Sequence, residues 1–311
     1  MTACRSHRDT RWATKSRSWW PASLGGRVSD HVPRVPVDGV ALTAIGVAVI
    51  RARESSRPDR LYDDPLAHHF VDAARAGFTA ERWAQLESLA DQFFDGRTVG
   101  VRLVDDRLRE AVEAGINQIV LLGAGLDTRA FRMGWHRRVA VFEIDFAELF
   151  AFKEPVVQEA GAVPDCQRHV VAADLRGDWF TPLCENGFRE DEPTYWVDEG
   201  TLGFLTQEWN QHVVRTLTGL SARGSLFGVG RFISDPDDAR YRDLRTLVAG
   251  EATVPATATN PGDGAEFDTE RWLNGLGWDT EFRSWNDQVA PFDRDVTVAD
   301  SRVGTIAARR R

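Results

Sequence analysis

Hydrophobic and polar positions along the chain change rhythm near residue 116. Over residues 38–52 apolar side chains recur at helical spacing (Val40, Ala44, Val47, Ala48), which predicts an amphipathic helix. Pro58 and Asp64-Pro65 punctuate residues 57–74 before a second helix. Residues 83–94 and 102–114 carry the same pattern and predict two further helices, the last stopped at Gly115. Beyond that point short β-branched runs take over. Ile119-Val120-Leu121-Leu122 and Val139-Ala140-Val141-Phe142 are too short and too uniformly apolar for amphipathic helices, so they read as strands buried on both faces. Further strands are predicted at 169–173, 194–197 and 225–229, with helices at 147–160, 207–220 and 269–276. Residues 278–285 and 302–308 are strand candidates at the end of the chain.

Strand and helix in alternation imply an α/β fold with a parallel sheet covered on both faces. Ligands of such a sheet lie beyond the carboxyl ends of its strands. The expected organisation is a helical cap over residues 36–115 and a core over 116–311. The core is interrupted by a polar insertion at 235–268 that contains Pro255, Pro261 and several glycines. Residues 1–35 hold arginines, Trp12, Trp19 and Trp20 without periodicity, and read as a disordered basic tail outside the fold. A basic arm touching RNA or a membrane, or a transit peptide, is the rival reading of that segment.

Charge sharpens the picture. There are 38 Lys and Arg against 47 Asp and Glu, a net charge of −9, which argues against nucleic acid as the main partner. Residues 1–35 run against this balance, with seven basic residues and only Asp9 and Asp30. Three cysteines without paired spacing suggest neither a disulfide framework nor a zinc site, as expected of a cytoplasmic protein. No apolar run approaches the roughly 18 residues of a spanning helix, so no membrane association is expected.

The candidate chemistry lies at the predicted strand ends. The first strand stops at Gly123-Ala124-Gly125, a turn through which backbone approaches a ligand without an intervening Cβ. The second ends on Asp145, twenty residues after Gly125, the spacing of a nucleoside-binding β-α-β unit whose acid bonds the ribose hydroxyls. Glu143 shares the strand face and competes for that role. The next two strands end at Asp174 and at Glu199. A dinucleotide normally requires a third glycine, where this chain has Thr128, and Asp127 would set negative charge beside a pyrophosphate. S-adenosylmethionine carries no phosphate and a net positive charge, which suits acids at Asp145, Asp174 and Glu199. Each residue also has a plainer role: turn glycines, a helix cap at Asp145 or Asp174, a satisfied buried acid at Glu199. His68, His69 and His136 have no third ligand at metal spacing, and Trp179, Trp196 and Trp209 read as core.

GAGLDTRAF (123–131), FEID (142–145), ADLRGDW (173–179) and PTYWVDEGTLGFL (193–205) resemble the actinobacterial S-adenosylmethionine-dependent methyltransferases related to the leucine carboxyl methyltransferases. RPDRLYDDPLA (57–67) and WLNGLGW (272–278) are similar to the same family's N- and C-terminal blocks. The resemblance runs from about Val37 to the C-terminus. It implies a class I methyltransferase, Rossmann-like sheet of seven strands, mostly parallel with the last antiparallel. It implies S-adenosylmethionine bound at Gly123, Asp145, Asp174-Leu175 and Glu199. It also implies an arginine, before the first strand, that pairs with the methionine carboxylate; Arg102 in VGVRLVDD is the nearest equivalent, with Gly100 the other candidate for that position. Phe204 stands where many relatives have Tyr. The activity expected is O-methylation of a carboxylate or hydroxyl on a small molecule, or of a peptide carboxylate, with no catalytic residue named. A non-catalytic S-adenosylmethionine-binding protein and a nicotinamide-dependent oxidoreductase are the alternatives.

Overall fold

The computed structural model describes residues 35–37, 39–135, 138–231, 243–244, 246–248 and 267–311. Apart from Val35, the basic tail at 1–35 lies outside the described residues, as does most of the 235–268 insertion and His136.

Three helices come first: α1 (Ala41–Ser55), α2 (Pro65–Arg75) and α3 (Ala80–Glu113). Pro65 opens α2, where its missing N–H is no loss, and the Thr79 hydroxyl caps α3 by accepting from the Arg82 N–H. The two helices expected at 83–94 and 102–114 are one. Gly96 and Gly100 lie inside this 34-residue helix, where each costs about 1 kcal/mol relative to alanine. Tertiary contacts offset that cost. Thr98 and Val99 between the glycines have no solvent exposure, and Val99 packs against Trp285 and Val289 from the far end of the chain.

Then follow β1 (Gln118–Leu122), the single-turn α4 (Arg129–Arg132), β2 (Ala140–Asp145), α5 (Ala147–Glu159), β3 (Gln167–Ala172), α6 (Phe180–Glu185) and β4 (Thr194–Asp198). The remainder is a short 3-10 turn (Leu202–Phe204), α7 (Gln207–Gly219), β5 (Leu226–Arg231), α8 (Thr269–Gly275), β6 (Trp278–Ser284), α9 (Trp285–Val289) and β7 (Gly304–Arg310). The expected strands are all present within a few residues of their ends. The short helices α4, α6 and α9 have too few turns to show a period in the sequence.

The seven strands form one sheet in the order β3-β2-β1-β4-β5-β7-β6. β7 is antiparallel to both β5 and β6, and the other pairs are parallel, so the expected sheet is the one found. Trp179, Trp196, Phe227 and Trp278 fill the core on one face, while Leu108, Ala111 and Tyr195 pack on the other. The cap is fastened to this core through apolar contacts of α1–α3 with Leu126, Leu149, Phe152 and Val156. Among the described residues no helix is long and apolar enough to cross a membrane, and no cluster could hold a metal ion.

Candidate active site

The chain runs outward from β1 through β2 to β3, then returns to the other side of β1 for β4 and β5. The crevice opened by that reversal lies above β1 and β4. Register fixes what meets there: Leu122 pairs with Ile144 on one side and Asp198 on the other, so Gly123 emerges between Asp145 and Glu199. Asp145 in turn pairs with Ala172, which sets Asp174 at the adjoining strand end.

Gly123 and Gly125 adopt φ of +65° and +53°, the left-handed region that side chains avoid. A Cβ on Gly123 would also lie 2.1 Å from the Thr201 hydroxyl, so the glycine is required by space as well as by conformation. The Gly125 N–H donates to Asp145 Oδ2 at 2.7 Å, and the Phe146 N–H donates to Oδ1 at 2.7 Å. Burial nevertheless leaves the Asp145 carboxyl above its ordinary value, against the opposing effect of the two backbone N–H bonds and of Lys153. Glu143 is differently placed. Both its oxygens are taken by Lys153 and Arg168, which hold it below its ordinary value against the effect of full burial.

Glu199 is paired with Arg129, and its backbone carbonyl accepts from Arg97 Nη1 at 3.0 Å. Arg129 opens α4, is almost wholly buried, and also binds Asp105 at 2.7 Å and Asp127 at 2.6 Å. The negative charge expected at Asp127 is therefore neutralised within the fold. Burial would lower the Arg129 guanidinium, but these three carboxylates hold it well above its ordinary value. Asp198, next to Glu199, is pushed up to about 6 by burial, although it accepts the Leu202 N–H at 3.0 Å.

The sequence block at 57–67 also reaches this place. Asp64 is fully buried, accepts from the Thr128 hydroxyl at 2.7 Å and pairs with Arg51 at 3.1 Å; Arg51 donates to the Leu126 carbonyl at 2.6 Å. The cap is thus bonded directly to the glycine turn.

Gly123, Gly125, Asp145 and Glu199 therefore meet at the neighbouring carboxyl ends of β1, β2 and β4. Asp174 is at its border, more exposed and bonded to Arg176 at 2.7 Å, and Leu175 turns its side chain into the core. Arg102 is not brought to this group. Its guanidinium is occupied by Asp106 at 2.8 Å and the Leu61 carbonyl at 2.8 Å, and it lies over the Phe292 ring. Arg97, five residues earlier, is the α3 arginine that joins Arg129 at the Glu199 strand end. Reading a helix break at 95–101 concealed it; an unbroken helical frame through Gly96 would have put it level with the strand ends. Phe204 is more than one-third exposed on the turn after Glu199.

The sequence matches the family model described as leucine carboxyl methyltransferase over residues 44–218. A protein of Parafrankia sp. (strain EAN1pec), named "Putative S-adenosyl-L-methionine-dependent methyltransferase", is 44% identical over 246 residues, 77% of each chain. A protein of Mycobacteroides abscessus with the same name is 41% identical over 264 residues, 79% of this chain and 82% of that one. The crystal structure of a DUF574 family protein from Streptomyces avermitilis superposes with a TM-score of 0.51 at 14% identity, over 86% of this chain and 97% of that one. That last likeness shows the fold alone.

Proposed function

The chain belongs to the leucine carboxyl methyltransferase family, and from that premise we propose that it is an S-adenosylmethionine-dependent methyltransferase acting on oxygen. The acceptor is a carboxylate or hydroxyl of a small molecule, or a peptide carboxylate. One observation carries this reading: Asp145, at the end of β2, is bonded to the Gly125 N–H and, among the described residues, to no cation. Each of its oxygens spends one lone pair on a backbone N–H and keeps another for a ribose hydroxyl.

The residues of the crevice fit the cofactor. The glycine turn admits no side chain where backbone must come close. Acids outnumber free cations around it, as a positively charged ligand requires. Arg97 takes the methionine carboxylate in this proposal, in place of Arg102, and Glu199, held by Arg129, faces the methionine end. Asp174 and the Leu175 backbone border the adenine. When bound, S-adenosylmethionine supplies a methyl group already activated on its sulfonium.

What remains for the protein is alignment of the acceptor and exclusion of water. A carboxylate acceptor is ionised at neutral pH and needs no general base. Lys153, near Asp145, is fully buried and paired with Glu143, so it is not placed to act as a base. The acceptor pocket is proposed to lie under the helical cap of residues 36–115 and the 235–268 insertion. Contacts of the described insertion residues support this: Gly39 N–H donates to the Val248 carbonyl at 3.2 Å, and Leu247 packs in the cap's apolar cluster.

Calorimetry with S-adenosylmethionine, S-adenosylhomocysteine and NAD tests the reading. Binding of the first two and not of NAD is expected; binding of NAD alone would reverse it. Transfer of labelled methyl to components of a cell extract would then identify the acceptor. Cofactor binding with no transfer to any acceptor would favour a non-catalytic cofactor-binding protein.

A further inference from the structure

A cavity of about 540 Å³ opens between α3, β6 and the segment after α9. It shares no lining residue with the crevice described above. Three arginines reach it, Arg102, Arg107 and Arg283, in a chain whose overall charge is negative. Arg102 is occupied by Asp106, and Arg283 lies on the surface beside Glu281 at 3.2 Å.

Arg107 differs from both. Its Nη2 donates to the Gln288 amide oxygen and to the Thr305 hydroxyl at 3.1 Å, and both partners are neutral. The Gln288 amide is itself oriented, since its Nε2 donates to the Arg283 and Ser284 carbonyls at 2.8 Å and 3.0 Å. Among the described residues no carboxylate pairs with Arg107, and its Nε and Nη1 have no protein partner. Burial lowers its guanidinium from the ordinary value, with Arg283 adding to the effect and Glu110 opposing it. Asp106 and Glu110 also line the cavity, but Asp106 is held by Arg102 and Arg109, and Glu110 is exposed and makes no ion pair with Arg107 among the described residues. A half-buried cation with two idle donors and no directly paired carboxylate is an expensive arrangement unless an anion completes it. Leu103, Pro291 and Phe292 supply an apolar wall, which inorganic anions would not use.

We infer that this cavity binds a small carboxylate carrying an apolar body, with Arg107 as its anchor. The site is separate from the adenosyl crevice, and the inference stands whether or not the chain transfers methyl groups. Arg107 grips one oxygen edge of the ligand through Nε and Nη1, while Phe292 and Leu103 cover its apolar part.

Titration calorimetry of the full chain at constant ionic strength tests this, with sodium benzoate as probe and benzyl alcohol and inorganic phosphate as controls. Benzoate is expected to bind more tightly than either control. Arg107→Met should weaken it roughly tenfold or more, the effect of losing a charge-assisted hydrogen bond. Arg107→Lys should restore part of the affinity. Pro291→Glu, a change at the exposed rim, should also weaken benzoate by placing a competing carboxylate in the cavity, without disturbing the core. Asp145→Ala should leave benzoate binding unchanged. The inference is overturned by no heat with benzoate, by equal binding of benzyl alcohol or phosphate, by full affinity in Arg107→Met, or by loss of benzoate binding in Asp145→Ala.

Discussion

Lys153 Nζ lies 2.7 Å from Glu143 Oε2, and neither side chain has any solvent exposure. This pair separates the two acids at the end of β2. Glu143 sits one pleat inside the strand, about 6–7 Å below the rim, and is consumed by structure. Asp145, at the rim itself, has only backbone N–H partners among the described residues.

Removing Glu143 should therefore cost stability and not recognition. Glu143→Ala leaves Lys153 buried without its partner, and a loss of about 3–5 kcal/mol is expected in urea denaturation. Cofactor affinity of the folded fraction, measured at low temperature, should stay within about twofold of the parent.

Asp145→Ala should cost recognition as well. Loss of its carboxylate leaves the Gly125 and Phe146 N–H groups without that acceptor, so a smaller stability loss of about 1–3 kcal/mol is expected in urea denaturation. Affinity for S-adenosylhomocysteine should fall at least about tenfold, because hydrogen bonds to a charged group contribute about 1.5–3 kcal/mol. Unchanged affinity would remove the ribose role from this residue.

Arg97 and Arg102 offer a direct comparison on one helix. Arg97→Met should weaken S-adenosylhomocysteine binding about tenfold or more, whereas Arg102→Met should leave it unaltered and slightly lower stability through loss of the Asp106 pair. Equal effects of the two changes would return the carboxylate role to Arg102.

Asp198 provides a pH signature. Its carboxyl is raised from 3.8 to about 6 in the folded protein. The folded state thus holds the proton more tightly than the unfolded chain, and this group destabilises the fold increasingly as pH rises from about 4 to about 6. Asp198→Asn should stabilise the protein at pH 7.5 by at most about 3 kcal/mol, with the gain fading as pH falls toward 4. Thermal midpoints of both proteins across that range check it; a gain independent of pH would assign the effect to something other than titration.

Periodicity was enough for the sheet because a buried strand and a covering helix impose different spacings on apolar residues. It failed at residues 95–101, where two glycines argue locally for a break. The decision there belongs to Val99, whose burial against Trp285 and Val289 joins positions nearly two hundred residues apart. Arg97 was lost with that break. Arg129 and Asp127 were in view as letters of the glycine turn, but nothing local says that they neutralise each other.

By itself, then, the sequence determined the α/β architecture, the glycine turn and the acids that close successive strands, since each depends on neighbours along the chain. Only the tertiary structure decided which acid is paired with cations and which of Arg97 and Arg102 reaches the Glu199 strand end. Glu143 and Asp145 are chemically alike and two residues apart, and what distinguishes them is Lys153 and Arg168 arriving from other elements. Charge pairing in a buried setting is settled by distances of a few ångströms between distant segments, and no local pattern encodes those.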